Sequence, residues 1–374
     1  MMIMLDGGLG EAGGQIVRTA LALSTLTGQP FTIINIRKGR PVPGLKAQHV
    51  TCVKALEKLC NARSENCSIG SETLAYWPGK VKSQTLSVDI GTAGSITLLL
   101  QSLVVPALFA NGKVRLKMVG GTDVSWSPSI DYFSQVFLPH LLPFAEGIEL
   151  KLLRRGYYPA GGGNAELHIA PKYKGNQFKS FPEFHSFLKE KAPKFHSLDQ
   201  HNLIYIKGVS HASADLEKAH VAERQANGAK QSLAHVSCPI HIRTEYSPAI
   251  STGSGITVWA VFSKNPGDIN IQDPIILGGD ALGEKGKRSE SVGKEAAEAL
   301  LQGMLSKAPI DEHLGDNLTP FLGLFGGSIK VSRLTSHTLT NIEVCEKFLN
   351  VKFSVDQDKS IIEVAPLGQE RSER

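Results

Sequence analysis

The feature that most constrains the fold of this chain is a layout that occurs three times. A small-residue loop opens an apolar helix, the helix ends at glycine or asparagine-glycine, and a strand follows. The first copy runs from Glu11-Ala-Gly-Gly-Gln-Ile-Val-Arg18 through Leu26 and Gly28 to the strand Phe31-Thr-Ile-Ile-Asn-Ile36. The second runs from Gly91-Thr-Ala-Gly-Ser95 through Leu108 and Asn111-Gly112 to Val114-Arg-Leu-Lys-Met-Val119. A fainter third runs from His313-Leu-Gly-Asp-Asn317 through Leu324 and Gly326-Gly327 to Ser328-Ile-Lys-Val331. Its helix reads as shorter, with Pro320 in the first turn, where proline is tolerated. Repeated units of this kind stack helices on sheets and predict an α/β (α+β) fold.

With 374 residues the chain exceeds the size at which one core keeps growing, so two domains or one domain with an insertion is expected. Gly44 through Leu59 reads as a helix with Leu45, Val53, Leu56 and Leu59 along one stripe, and residues 289–305 read as another, with Ser289 as a possible cap. The alternating stretches Leu203–Lys207 and Gly255–Phe262 flank a charged helical run from Asp215 to Leu233, which marks a small separate unit. Its boundaries fall in the lysine-rich piece Tyr173–Lys194 and at Leu277-Gly-Gly-Asp280. The expected division is a large domain of residues 1–184 and 280–374, with residues 185–279 inserted.

The net charge of +5 is uneven: residues 1–184 carry an excess of seven positive charges, residues 280–374 an excess of three negative ones. A basic first half is compatible with a polyanionic ligand but does not name one. No apolar run reaches the roughly 18 residues that span a bilayer, and no signal-peptide pattern opens the chain. Five cysteines, an odd number without a CxxC pair, fit reduced thiols. The expected location is cytoplasmic, with the nucleoplasm open to a eukaryotic protein.

Two motifs carry chemistry. Gly8-Leu-Gly10-Glu-Ala-Gly13 matches GxGxxG between a strand and a helix, the setting of a dinucleotide-binding fingerprint. A carboxylate at Glu11 inside that loop repels a pyrophosphate unless a cation intervenes, and the next strand ends at Arg37 where an acidic ribose ligand is expected. A metal-assisted phosphate site fits better. Glu11 can hold Mg²⁺ or Mn²⁺, while helix-start N–H groups, Arg18, Arg37 and Arg40 neutralise phosphate oxygens. The second motif is His337 in Arg333-Leu-Thr-Ser-His-Thr-Leu-Thr-Asn-Ile342; a neutral imidazole is a competent nucleophile at phosphorus. Alone, such a histidine is ordinarily structural.

Other candidates are weaker. His235-Val-Ser-Cys238-Pro-Ile-His241 offers three ligand types where zinc sites need four, and no GxxxxGK[ST], HExxH or GxSxG motif occurs.

The ordered segments Gly10-Glu-Ala-Gly-Gly-Gln-Ile-Val-Arg18, Arg37-Lys-Gly-Arg40, Pro43-Gly-Leu45, Gln48-His49, Gly91-Thr-Ala-Gly-Ser95, Gly120-Gly-Thr-Asp123, Gly156-Tyr-Tyr-Pro-Ala-Gly-Gly-Gly163, His313-Leu-Gly-Asp316 and His337-Thr-Leu-Thr-Asn-Ile342 resemble the RNA 3′-terminal phosphate cyclase family across essentially the whole chain. The resemblance implies a large domain of three repeated βαβαββ-type units, with a smaller α/β domain inserted after the second. It implies that ATP and a divalent cation convert an RNA 3′-phosphate end into a 2′,3′-cyclic phosphodiester. His337 would take AMP from ATP, pass it to the RNA phosphate, and the neighbouring 2′-hydroxyl would displace it.

The same resemblance implies roles residue by residue. Glu11 matches the metal-binding carboxylate; Gln48, Gln101, Pro128, His313, Asp316 and Asn317 match positions of the ATP pocket. Gln15, Arg18, Arg37 and Arg40 match positions suited to phosphate or RNA contact. His313 stands where some members carry tyrosine, and Asn317 replaces a more usual glutamine, so nucleotide affinity is where this chain departs. The rival readings are a non-catalytic, cyclase-like RNA-processing or ribosome-assembly scaffold, which His337 argues against, and an NADP-dependent reductase, which Glu11 argues against.

Overall fold

The computed structural model describes residues 2–365 apart from residues 11, 12, 266, 268 and 271. The repeat read from the sequence is present as three units of one topology. The first comprises β1 (Ile3–Asp6), α1 (Gln15–Thr27), β2 (Phe31–Ile34), α2 (Ala47–Cys60), β3 (Arg63–Glu65) and β4 (Leu74–Trp77). The second comprises β5 (Thr85–Asp89), α3 (Ile96–Leu108), β6 (Val114–Gly120), α4 (Ile130–Tyr132), β7 (Ala145–Arg154) and β8 (Gly163–Pro171); α4 runs on into a π-helical turn, Phe133–Phe137. After α5 (Phe181–Lys191), the third unit opens with β9 (Phe195–Ser197).

The chain then leaves to build an inserted unit: β10 (Asn202–Ser213), α6 (Val221–Ser232), β11 (Ile240–Ser247), β12 (Ser254–Ser263), β13 (Ile275–Leu282) and α7 (Ser289–Leu305). It returns for α8 (Glu312–Phe325), β14 (Gly327–Lys330), α9 (Ser336–Leu349), β15 (Lys352–Asp356) and β16 (Ile361–Ala365). In each of the three units the first strand lies parallel to the second, the second is antiparallel to the fourth, and the third pairs on the outside of the fourth. The antiparallel β2–β4 step ends the parallel run, so the first sheet is not the open parallel sheet that a dinucleotide-binding domain requires.

Sheet pairing points to seams of the insertion other than 185 and 279. β9 pairs with β14 and so belongs to the third unit. On the other side, Val292, Ala296, Ala297 and Leu300 of α7 pack with Ile206, Val258 and Leu277 in the core of the inserted sheet. We propose residues 202–305 as the inserted unit, placed inside the third repeat between its first strand and first helix. The expected limits fell in a lysine-rich piece and a glycine-rich turn, whereas the proposed ones follow strand pairing and a buried helix face.

The third-repeat helix also differs from its sequence reading. α8 starts at Glu312, capped by the Asp311 carboxylate, which accepts from Leu314 N at 2.9 Å, so Pro320 lies in its interior. An internal proline leaves the carbonyl four residues back without its helical donor. Here that carbonyl is Asp316 O, and Asn341 Nδ2 of α9 donates to it at 2.8 Å. The proline is therefore tolerated because a neighbouring helix supplies the missing bond.

α1, α3, α8 and α9 form the layer that carries the site, with the residues facing between them almost wholly buried. No helix among the described residues is long and apolar enough to cross a membrane.

Candidate active site

Among the described residues no side chain caps the N-terminus of α1, whose first N–H groups can then serve a ligand. Gly14 at that end has no room for a side chain: a methyl group there would stand 2.0 Å from His49 Nε2 and 3.1 Å from Arg18 Nη1. The His49 ring is fixed because Lys46 N–H donates to Nδ1 at 3.0 Å. Burial, then the charges of Arg18, Arg37 and Lys46, push its pKa down to about 3, so the imidazole is neutral and the field around the loop is positive. Arg18 is buried one turn into the helix, its Nε donating to Gln101 Oε1 at 2.8 Å. Burial brings its pKa down to about 10, still a cation at neutral pH.

His337 arrives from the other end of the chain on the first turn of α9. A methyl group on Gly13 would lie 3.6 Å from His337 Cε1 and 3.8 Å from Arg40 Nη2, which puts imidazole and guanidinium at the glycine loop. Gly10 makes the close approach possible. It has a φ of 58°, and a methyl there would meet Thr340 Oγ1 of α9 at 2.4 Å.

The helix that bears His337 is anchored on Asp316. Thr335 caps α9 by accepting from Thr338 N at 2.9 Å, and both threonine hydroxyls donate to Asp316 Oδ1, at 2.5 and 2.6 Å. Burial raises the Asp316 pKa while those two hydroxyls oppose the rise. Asn341, one turn beyond His337, bonds Asp316 O with its amide nitrogen and accepts from Thr19 Oγ1 of α1 at 2.7 Å. Three helices are thus pinned within one turn of the imidazole.

The remaining expected residues divide. Gln15, Gln101, Asp316 and Asn317 line one cleft between α1, α3 and α8. Gln101 Nε2 donates to Asn317 Oδ1 at 2.9 Å, and Asn317 Nδ2 donates to His313 O at 2.6 Å, so the shorter amide bonds within the protein at both of its polar atoms. Gln48 sits beside His49 with its side-chain nitrogen buried and without a hydrogen-bond partner among the described residues. Pro128 lies just before α4, its carbonyl accepting from Thr97 Oγ1 in the first turn of α3 at 2.8 Å. The His313 side chain is exposed, 6.3 Å edge-on from the Tyr132 ring. Arg37 is turned into its own loop, where Nη1 donates to Val42 O at 2.8 Å and Gly44 O at 3.3 Å. Glu11 lies outside the described residues.

Comparison with known proteins gives the family. The sequence profile of the RNA 3′-terminal phosphate cyclase family matches residues 9–355. The chain belongs to this family. It is 44% identical over 354 residues to the RNA 3′-terminal phosphate cyclase of Pyrococcus furiosus, covering 95% of each chain. To the protein of the same name from Saccharolobus islandicus it is 42% identical over 356 residues, covering 95% of this chain and 96% of the other. The match takes in all three repeats and the inserted unit.

Within this cyclase framework, metal ligation at the site draws on few groups. Of the described residues there, Asp316 supplies the carboxylate, and its Oδ1 already accepts two hydroxyls. A hard cation takes several oxygen ligands, so the described residues by themselves do not make its shell. Among them, the group with metal-like spacing is Asp123, Asp131 and His211, far along the chain from His337. There the Arg155 guanidinium supplies the positive charge, 3.1 Å from Asp123 and 2.7 Å from Asp131.

Sequence reading missed His49, Thr19, Thr335, Thr338 and Asn341 as parts of the site. Thr335 and Thr338 were legible as an N-cap pair three residues apart. The pairing of Asn341 with the carbonyl freed by Pro320 crosses two helices and leaves no local pattern.

Proposed function

We propose that this cyclase-family enzyme uses ATP to close an RNA 3′-terminal phosphate into a 2′,3′-cyclic phosphodiester, with His337 as a covalent carrier of AMP. The observation that carries the reading is the approach of His337 to Gly13 at the uncapped start of α1, with Arg18 and Arg40 alongside. An imidazole held beside an anion-binding helix terminus supports a role in attack on a phosphate.

In the first transfer an imidazole nitrogen attacks the α-phosphorus of ATP. A P–N bond forms, the P–O bond to the β-phosphoryl group breaks, and pyrophosphate leaves with the electron pair. Arg18, Arg40 and the α1 N–H groups stabilise charge on the phosphoryl oxygens as it develops. In the second, an oxygen of the RNA 3′-phosphate displaces the imidazole from the AMP phosphorus. In the third, the adjacent 2′-hydroxyl attacks the RNA phosphorus, AMP departs, and the hydroxyl proton passes to solvent. Nucleophile and phosphate share one ribose, so the last step gains from proximity.

Metal dependence is part of the proposal, with Glu11 as the ligand. A divalent cation would neutralise charge on the departing pyrophosphate. The cleft beside Gln101 measures about 30 Å³, against roughly 300 Å³ or more for an enclosing ligand pocket, so the nucleotide would lie over it. Asn317 and Gln101 then act mainly by holding Arg18.

The test is conversion of a 3′-phosphate RNA in the presence of ATP and Mg²⁺ or Mn²⁺. A cyclic end that resists phosphatase is expected. The same oligonucleotide with a 2′-deoxy terminus should stop at the adenylated RNA; cyclic product formed without ATP would overturn the reading.

A further inference from the structure

The inserted unit carries a groove of about 490 Å³ lined by Lys207, Lys230, His241, Arg243, Trp259 and Gln135, among others, and no carboxylate lines it. We infer that this groove binds the sugar–phosphate backbone of the RNA upstream of its 3′ end. The inference rests on the cyclase reading for the identity of the polyanion.

Strand register builds the basic row. Lys207 of β10 stands opposite His241 of β11 and opposite Trp259 of β12, so these three side chains share one face of the sheet. Arg243 follows two residues beyond His241 on the same face, about 7 Å along the strand. Lys207, His241 and Arg243 are exposed, whereas Trp259 and Val209 behind them are buried and make a rigid floor. Lys207 Nζ is held 4.6 Å over the Tyr205 ring.

These charges are poorly compensated. Arg243 Nη2 lies 3.6 Å from Glu245 Oε2, but the other oxygen of Glu245 is taken by Arg155 at 2.6 Å. Lys207, Lys230 and His241 form no ion pair among the described residues. A second, larger groove along β6–β8 gives the contrast: it contains Glu149, and its Arg115 is paired with Glu166, so its charge is spent internally. A cationic row with little compensating charge over a buried floor is the footprint of a polyanion.

Placement favours RNA attached to the reacting end. Gln135, on the groove wall, lies on the π-helical turn 133–137, and Phe137 of the same turn lines the cleft with Gln101 and Asp316. The groove and the site are two sides of one helical turn. Backbone contacts of this kind fix register and carry no sequence information, so length and salt should matter while base sequence does not.

The test uses the full-length protein and 3′-phosphate RNAs of identical terminal sequence, a dinucleotide and a 12-mer, read by KM for cyclisation and by direct binding of a labelled 12-mer over a salt series. Lys207→Gln/Arg243→Gln should weaken the 12-mer about 25-fold at 0.1 M salt and reduce the slope of log K against log salt by about 1.4, from two lost single-strand phosphate contacts. KM for the dinucleotide and labelling by ATP should stay as in the wild type, and Lys207→Arg/Arg243→Lys should restore binding. An unchanged 12-mer affinity and salt slope in the glutamine variant, with a wild-type melting curve, overturns the groove. Loss of cyclisation with both RNAs in the wild type, while the 12-mer still binds and the variant releases it, would instead defeat the cyclase reading alone.

Discussion

Removing the side-chain amide of Asn341 should unpin the helix that carries His337, and the cost can be worked from the bonds it makes. Asn341 is 1% exposed, donates to Asp316 O at 2.8 Å and accepts from Thr19 Oγ1 at 2.7 Å. Asn341→Ala leaves a buried carbonyl and a buried hydroxyl without these partners. An unsatisfied buried group costs about 1–3 kcal/mol, so the variant should lose roughly 2–6 kcal/mol. Pro320 adds a second handle. Pro320→Ala restores an N–H that can reach Asp316 O within α8, and this matters most when Asn341 is gone. The two substitutions should therefore interact, the double variant recovering about 1 kcal/mol relative to the sum of the singles. Urea unfolding of the four proteins measures the cycle, and ATP labelling reports the position of His337. Additivity within about 0.3–0.5 kcal/mol would refute the account of how α8 accommodates its proline.

Three further outcomes are expected. Gly14→Ala places a methyl 2.0 Å from the buried His49 ring, so melting should fall by the equivalent of about 1–3 kcal/mol and ATP labelling should fall with it; a variant that labels normally would contradict the packing of α1 on His49. Burial pushes His49 down to about 3 and His140 and His185 down to about 4, so the unfolded chain binds more protons than the folded one below the ordinary histidine pKa. Stability is then full above about pH 6.5 and drains away toward pH 4, by about 2 kcal/mol per histidine at pH 5, and an unchanged urea midpoint between pH 7.5 and 5.0 would count against this. Arg37→Ala should destabilise the loop 37–44, whose carbonyls it bonds, while KM for ATP changes less than in Arg18→Gln; the reverse order would return Arg37 to the phosphate site.

The threefold repeat was readable because each copy combines a loop of small residues, an apolar helix and a glycine stop, all short-range signals. Strand Val114–Val119 and helix 289–305 came out within a residue or so. β9, three residues long, was invisible: it pairs with β14 more than a hundred residues later and has no hydrophobic alternation of its own. In the candidate site, motif and chemistry coincide in the sequence at His337, Arg18 and Asp316, which the structure brings together at the junction of α1, α8 and α9. The site was illegible where burial decides the role. Arg37 looks like a phosphate ligand in sequence, yet its left-handed backbone, with φ of 56°, folds the guanidinium onto Val42 and Gly44. His49 stands in the sequence only as half of a short matched pair, and its part as a neutral wedge under Gly14 follows from its burial and then from three surrounding cations.

The central claim is that His337 carries AMP. Incubation with α-labelled ATP and Mg²⁺ or Mn²⁺, without RNA, should leave an acid-labile covalent label on the denatured wild type and none on His337→Ala. Equal labelling of both proteins, or no label on the folded wild type with either metal, would contradict it.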